Sequence, residues 1–120
     1  WLQRVLPAYP GIIGDIAKPG VTEPGYRYIP TKAAYSLSRA WPVVRADLPL
    51  VSAPVLLLHS TVDHIVEPEN ARVVRAEIGS TDVTDIELTR SYHVATMDHD
   101  ADLIMTSSVE FIEKVTASLP

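Results

Sequence analysis

Two residues in this 120-residue chain stand where acid–base chemistry is usually carried out. Asp63 follows an apolar run, within His59-Ser60-Thr61-Val62-Asp63-His64-Ile65-Val66-Glu67-Pro68, and His93 follows an alternating run, within Ser91-Tyr92-His93-Val94. In open α/β sheets the working side chains sit in loops that leave the carboxyl ends of strands, and adjacent parallel strands bring two such loops together. A carboxylate placed there accepts the proton on one imidazole nitrogen, fixes the tautomer, and leaves the other nitrogen free as a general base for a nucleophile. The residues alone also admit plainer roles, with Asp63 capping a turn before Pro68 and His93 a surface-loop histidine. A further alternative is metal binding by His59, Asp63, His64, His93 and His99, whose nitrogen and oxygen donors suit zinc. Their spacing matches no compact metal signature, and His59 falls inside an expected strand. No metal and no cofactor is therefore expected. Asp98, Asp100 and Asp102 are expected to favour the positive end of a following helical turn, and Glu87 and Glu113 to be solvated charges.

The elements that must position these residues are legible from Ser52 onward. Val55 to His59 is a continuous apolar run introduced by Pro54, the pattern of a parallel strand buried on both faces. A helix follows: Pro68 suits its first position, Glu69 its positive start, Ala71, Val74 and Ile78 share a face, and Gly79 is expected to end it in the left-handed conformation. Val83 to Thr89 alternates, with Ile86 and Leu88 on one side and Asp85, Glu87 and Thr89 on the other, as in a strand nearer the sheet edge. Ser107 and Glu110 have the spacing of a capping box, predicting a last helix with Val109, Ile112 and Val115 on its buried face. Strand, helix, strand, helix predicts helices packed on a parallel sheet. Two strands leave unpaired edges, so further strands are expected from elsewhere.

The region before Ser52 differs. Pro7, Pro10, Gly11, Gly14, Pro19, Gly20, Pro24 and Gly25 break residues 1–30 into loop, or a lid. Helical spacing then runs from Thr31 to Trp41, with Ala34, Leu37 and Trp41 on one face, until Pro42 interrupts it before a short second turn through Leu48. The division expected is 1–51 as a partial cap and linker, and 52–120 as an α/β core segment.

Composition narrows the function classes. With 47% hydrophobic residues the chain can bury a core, and a net charge of −5 with no basic run lacks the electrostatic footprint of a nucleic-acid binder. No cysteine is present, which excludes disulfides and thiolate metal sites but leaves the compartment open, the cytoplasm being favoured. The longest apolar run is far too short to span a bilayer.

The stretch Ala53-Pro54-Val55-Leu56-Leu57-Leu58-His59-Ser60-Thr61-Val62-Asp63, continuing through Pro68, resembles the acid-bearing region of α/β-hydrolases, especially bacterial carboxylesterases and monoacylglycerol lipase-like enzymes. Ser91-Tyr92-His93-Val94-Ala95-Thr96-Met97-Asp98 resembles their histidine loop, with Tyr92 where the family usually has glycine. The resemblance covers Leu48 to about Val115 and implies an α/β fold, a carboxylic-ester substrate, and Asp63 and His93 as acid and base of a Ser-His-Asp triad. By the same resemblance residues 1–47 form part of a cap over an acyl pocket. The family's Gly-x-Ser-x-Gly nucleophile elbow is missing: no two of the five glycines lie four positions apart, and no serine lies two positions from a glycine. In the family order of Ser, acid, His, the nucleophile and oxyanion hole are expected before Trp1, and a start at Trp1 rather than methionine fits that expectation. The missing hydrolase portion, or self-association through sheet edges, is the expected partner. A noncatalytic interaction module that docks through the Pro- and Gly-rich segment is the main alternative.

Overall fold

The computed structural model describes residues 5–117; residues 1–4 of the expected cap segment and 118–120 of the expected core segment lie outside it. Early in the chain two short strands, β1 (Ala8–Pro10) and β2 (Tyr28–Pro30), pair antiparallel with Tyr9 opposite Ile29. The Pro- and Gly-rich stretch, expected to be loop or a lid, thus contains a ribbon. Three-residue strands carry no readable alternation, and here each ends on a proline, a residue type that argues against a strand. Gly14 and Gly20, with φ of 77° and 78°, make the left-handed turns between them.

Helix α1 (Thr31–Asp47) follows β2 directly. Pro42 lies inside it, so the expected interruption does not occur. A proline costs the helix one hydrogen bond; the ends of α1 are tied to the rest of the chain, Thr31 N donating to Pro7 O at 3.0 Å and Arg45 pairing with Glu77. Ala34 is half-buried, while Leu37 and Trp41 of the same predicted face are exposed. A 3-10 turn, Leu48–Leu50, leads into the core.

There β3 (Val55–Ser60) and β4 (Val83–Leu88) pair in parallel, in register from Val55 opposite Val83 to Ser60 opposite Leu88. The connection contains α2 (Glu69–Glu77), preceded by Pro68 and carrying Glu69 in its first turn. Ala71 is buried and Val74 and Ile78 partly so, as their shared face predicts. Gly79 ends the helix for a different reason from the one expected. Its φ is not positive; instead its N–H donates to Leu48 O at 3.1 Å, and a Cβ there would press into the Pro49 carbonyl, 2.8 Å from its carbon. Close approach of two backbones, not chirality, selects glycine.

The last helix, α3 (Ala101–Ala117), begins six residues before the expected capping box, so Ser107 and Glu110 are interior positions that line a groove against Leu56, Thr84 and Ile86. Val109 and Ile112 are exposed; of the expected face only Val115 is half-buried, together with Ile104, Ser108 and Phe111. Architecture and pairing are those of an α/β fold with parallel strands and flanking helices. Among the described residues no helix is long and apolar enough to cross a membrane.

Replacing Gly79 with alanine is expected to destabilise the protein by about 1–3 kcal/mol, the usual cost of overpacking a tight contact. Urea melts of wild type and variant measure it.

Candidate active site

The in-register pairing sets Ser60 beside Leu88, so the loops after β3 and β4 leave the sheet together. Asp63 turns its own loop: Oδ1 accepts from the amides of Ile65 and Val66, both at 2.8 Å. Its other oxygen, Oδ2, meets His93 Nδ1 at 2.9 Å. The turn-capping role and the imidazole-binding role are thus both filled, one by each oxygen. An ionised carboxylate only accepts, so Nδ1 carries the proton and Nε2 is left with a free lone pair. The His93 side chain is 40% exposed and that of Asp63 13%, which puts the ring at the surface and its partner beneath it.

The His93 loop is held by carboxylates. Asp98 is 1% exposed and accepts from four amides: Ala17 at 2.6 Å, His99 at 2.8 Å, Lys18 at 2.9 Å and Tyr92 at 3.0 Å. Asp100 accepts from Arg90 N and Ser91 Oγ, both at 2.9 Å, while Ser91 Oγ accepts from Asp100 N at 2.8 Å. Ser60 Oγ, at the end of β3, donates to Ser91 O at 2.5 Å and so joins the two loops. Asp15 reaches in from the N-terminal segment: Oδ2 accepts from His93 N at 3.0 Å and His64 N at 3.3 Å, and Oδ1 meets His64 Nδ1 at 2.7 Å. The His64 ring stands edge-on to Tyr92, centroids 4.5 Å apart. Tyr92, where glycine is usual in the resembled family, has no positive φ, so the loop needs no glycine there.

The alternative metal-ligand set does not assemble. His59 Nε2 pairs with Asp85 at 3.1 Å, while His64 and His93 face different carboxylates. Among the described residues no group of three or more His, Asp or Glu is placed to hold a metal ion.

The profile of a family described as serine aminopeptidase, S33 matches residues 26–100, well over half of the chain. The chain belongs to this S33 family of α/β-hydrolases. It is similar to a thermostable monoacylglycerol lipase of Bacillus sp. strain H-257, 38% identical over 110 residues, covering 91% of this chain and 44% of the lipase. A Bacillus subtilis carboxylesterase is 28% identical over 72 residues, covering 60% of this chain and 29% of the esterase. Among solved structures, one from work on two metagenome-derived lipolytic enzymes superposes with a TM-score of 0.87 at 39% identity, covering 91% of this chain and 44% of that one. The chain spans less than half the length of these relatives.

In this member of the S33 family the expected helix-start role of Asp98 and Asp100 is corrected by their contacts. Both are buried, and their carboxylates are taken up by the loop and the N-terminal segment; only Asp102 lies in the first turn of α3. Buried main-chain amides without a strand to pair with bind an anion more strongly than a helix end does. Asp15, Ser60 and Ser91 were not singled out by sequence reasoning, because an acceptor for distant amides leaves no local spacing.

Burial pushes the Asp63 carboxyl up, but the amide of Val66, the His93 ring and the amide of Ile65 outweigh it and hold the group below the usual carboxylate value. Asp98 follows the same logic, burial opposed by the amides of Tyr92, Ala17, His99 and Lys18. In Asp15 burial is opposed by the His64 side chain and the amides of His93 and His64. A depressed carboxyl contributes stability that is complete above its unfolded value, about 4, and is lost as pH falls through the lower folded value. Asp98→Ala is expected to cost about 3–5 kcal/mol at pH 7 by stranding buried amides. Denaturant melts across pH should show the gap between wild type and variant closing below about pH 4.

Proposed function

We propose that Asp63 and His93 are the acid and base of a Ser-His-Asp triad in a carboxylic-ester hydrolase, with the serine and oxyanion donors supplied from outside these 120 residues. The observation that carries this reading is the 2.9 Å bond between Asp63 Oδ2 and Nδ1 of the partly exposed His93 ring, which leaves Nε2 outside the pairing. His93 Nε2 takes the proton of the serine hydroxyl as its oxygen attacks the acyl carbonyl, then returns that proton to the departing alcohol. Water repeats the sequence on the acyl-serine, releasing the acid and restoring the serine. Asp63, ionised and held by two amides of its own turn, keeps the imidazole oriented and stabilises its protonated form.

An ester substrate is supported by the relatives, which are named as a monoacylglycerol lipase, a carboxylesterase and lipolytic enzymes. The S33 family is described as serine aminopeptidase, and the same triad chemistry cleaves an amide, so the bond broken is the property to measure. The absence of a Gly-x-Ser-x-Gly pattern in the sequence supports a nucleophile contributed by further polypeptide.

In the complete hydrolase, Asp63→Asn is expected to lower kcat on a p-nitrophenyl ester by about 10⁴-fold and His93→Ala by about 10⁶-fold, with circular dichroism unchanged. A folded His93→Ala enzyme with near-normal turnover overturns the triad. Faster cleavage of an aminoacyl anilide than of the ester overturns the ester reading.

A further inference from the structure

Beside the Asp63–His93 pair stands a second pairing of carboxylate and imidazole, formed by Asp15 and His64. None of the side-chain bonds of Asp15 is local: its partners lie 49 and 78 positions along the chain. Its side chain is 14% exposed, with Oδ2 accepting from both loops that carry the site and Oδ1 engaged with the His64 ring. On one side it holds residue 64, the immediate neighbour of Asp63, by both ring and amide. On the other it takes the main-chain N–H of His93 itself, while its own carbonyl takes the next amide, Val94 N, at 3.2 Å. One residue from the N-terminal segment therefore fixes the backbone of the base against the loop of the acid.

We propose that Asp15 is a positioning residue for the hydrolytic base, tying the N-terminal segment to the main chain of His93 and setting the distance between the acid and histidine loops. The proposal rests on the triad reading above. Proton transfer demands placement to within a fraction of an ångström, and a misplacement of about 1 Å costs on the order of 10²-fold in rate. Asp63 meets His93 through the ring alone; the backbone from which that ring projects is fixed by Asp15 and by the bonds of Asp98 to Tyr92. The companion bonds from Ala17 and Lys18 to Asp98 seat residues 15–18 on the histidine loop, so seating the segment and aligning the base are one event.

The chemistry of the clamp separates position from charge. An asparagine at 15 keeps an oxygen for the amides of His93 and His64, and its NH₂ donates to His64 Nδ1 in the other neutral tautomer. An alanine keeps none of these. In the complete hydrolase, Asp15→Ala is expected to lower kcat on a short-chain p-nitrophenyl ester by about 10–100-fold with KM changed less than about threefold, and Asp15→Asn to recover kcat to within about threefold of wild type. Hydrogen-exchange mass spectrometry should show protection lost at His93 and His64, whose amides donate to the Asp15 carboxylate, in Asp15→Ala but retained in β3 and β4. Wild-type kcat in Asp15→Ala, or Asp15→Asn no better than Asp15→Ala, overturns the proposal. Should the alanine variant not fold, Asp15→Ser, too short to span both loops, takes the same measurements. His93→Ala is assayed in parallel: if it retains turnover, the triad reading and this proposal fall together, whereas if it is inactive and Asp15→Ala matches wild type, only this proposal falls.

Discussion

A loop that leaves a strand and doubles back into a helix has main-chain amides and no neighbouring strand to accept from them. Between Leu88 and Ala101 the only regular piece is the 3-10 turn Ala95–Met97, and a buried amide left without a partner costs about 1–3 kcal/mol. Carboxylates meet that constraint: Arg90 N goes to Asp100, Tyr92 N and His99 N to Asp98, and His93 N to Asp15. The direction in which the imidazole points follows from where those anions stand. Part of the chain's net negative charge is therefore internal scaffolding rather than a solvated surface.

The sheet supplies the other half of the arrangement. Parallel pairing in register delivers both loops at one end, and Ser60 and Ser91 bridge them where β3 finishes. Both serines are buried and small, so a hydroxyl that would be unremarkable on the surface becomes a fixed link between the acid-bearing and base-bearing segments. The acid is set by its own turn through Val66 and Ile65, whereas the base depends on contacts from three separate stretches of chain. The pair is thus asymmetric in how it is built: one member is local and the other is assembled by the tertiary fold.

That asymmetry explains what was legible in the sequence. Asp63, the strand before it and α2 carry their information in consecutive residues, and the run from Pro54 to Gly79 could be read nearly to its ends. The pairing of His93 with Asp63 followed from strand order. The partners of Asp15 and Asp98 are amides, which every residue possesses, so no residue type or spacing marks them. The same limitation misplaced the start of α3: Ala101 N and Ile104 N donate to the main-chain carbonyls of Asp98 and Asp100, a start that needs no capping side chain. At Gly79 the residue type was read as a preference of its own backbone, whereas the reason lies in Pro49, thirty positions earlier. Pro42 suggests a break from local sequence alone, whereas the helix runs through it to Asp47.

The tie at the end of α1 has a consequence of another kind. Among the described residues the pairing of Arg45 with Glu77 is the only side-chain hydrogen bonding between α1 and α2, and both partners are solvent-accessible. Mobile ions shield exposed charges over about 10 Å at 0.1 M ionic strength and about 3 Å at 1 M, whereas the buried anions of the histidine loop are largely beyond their reach. Concentrated electrolyte therefore acts selectively on this molecule, weakening the Arg45–Glu77 tie between the two helices while leaving the Asp98 amide cluster largely unscreened.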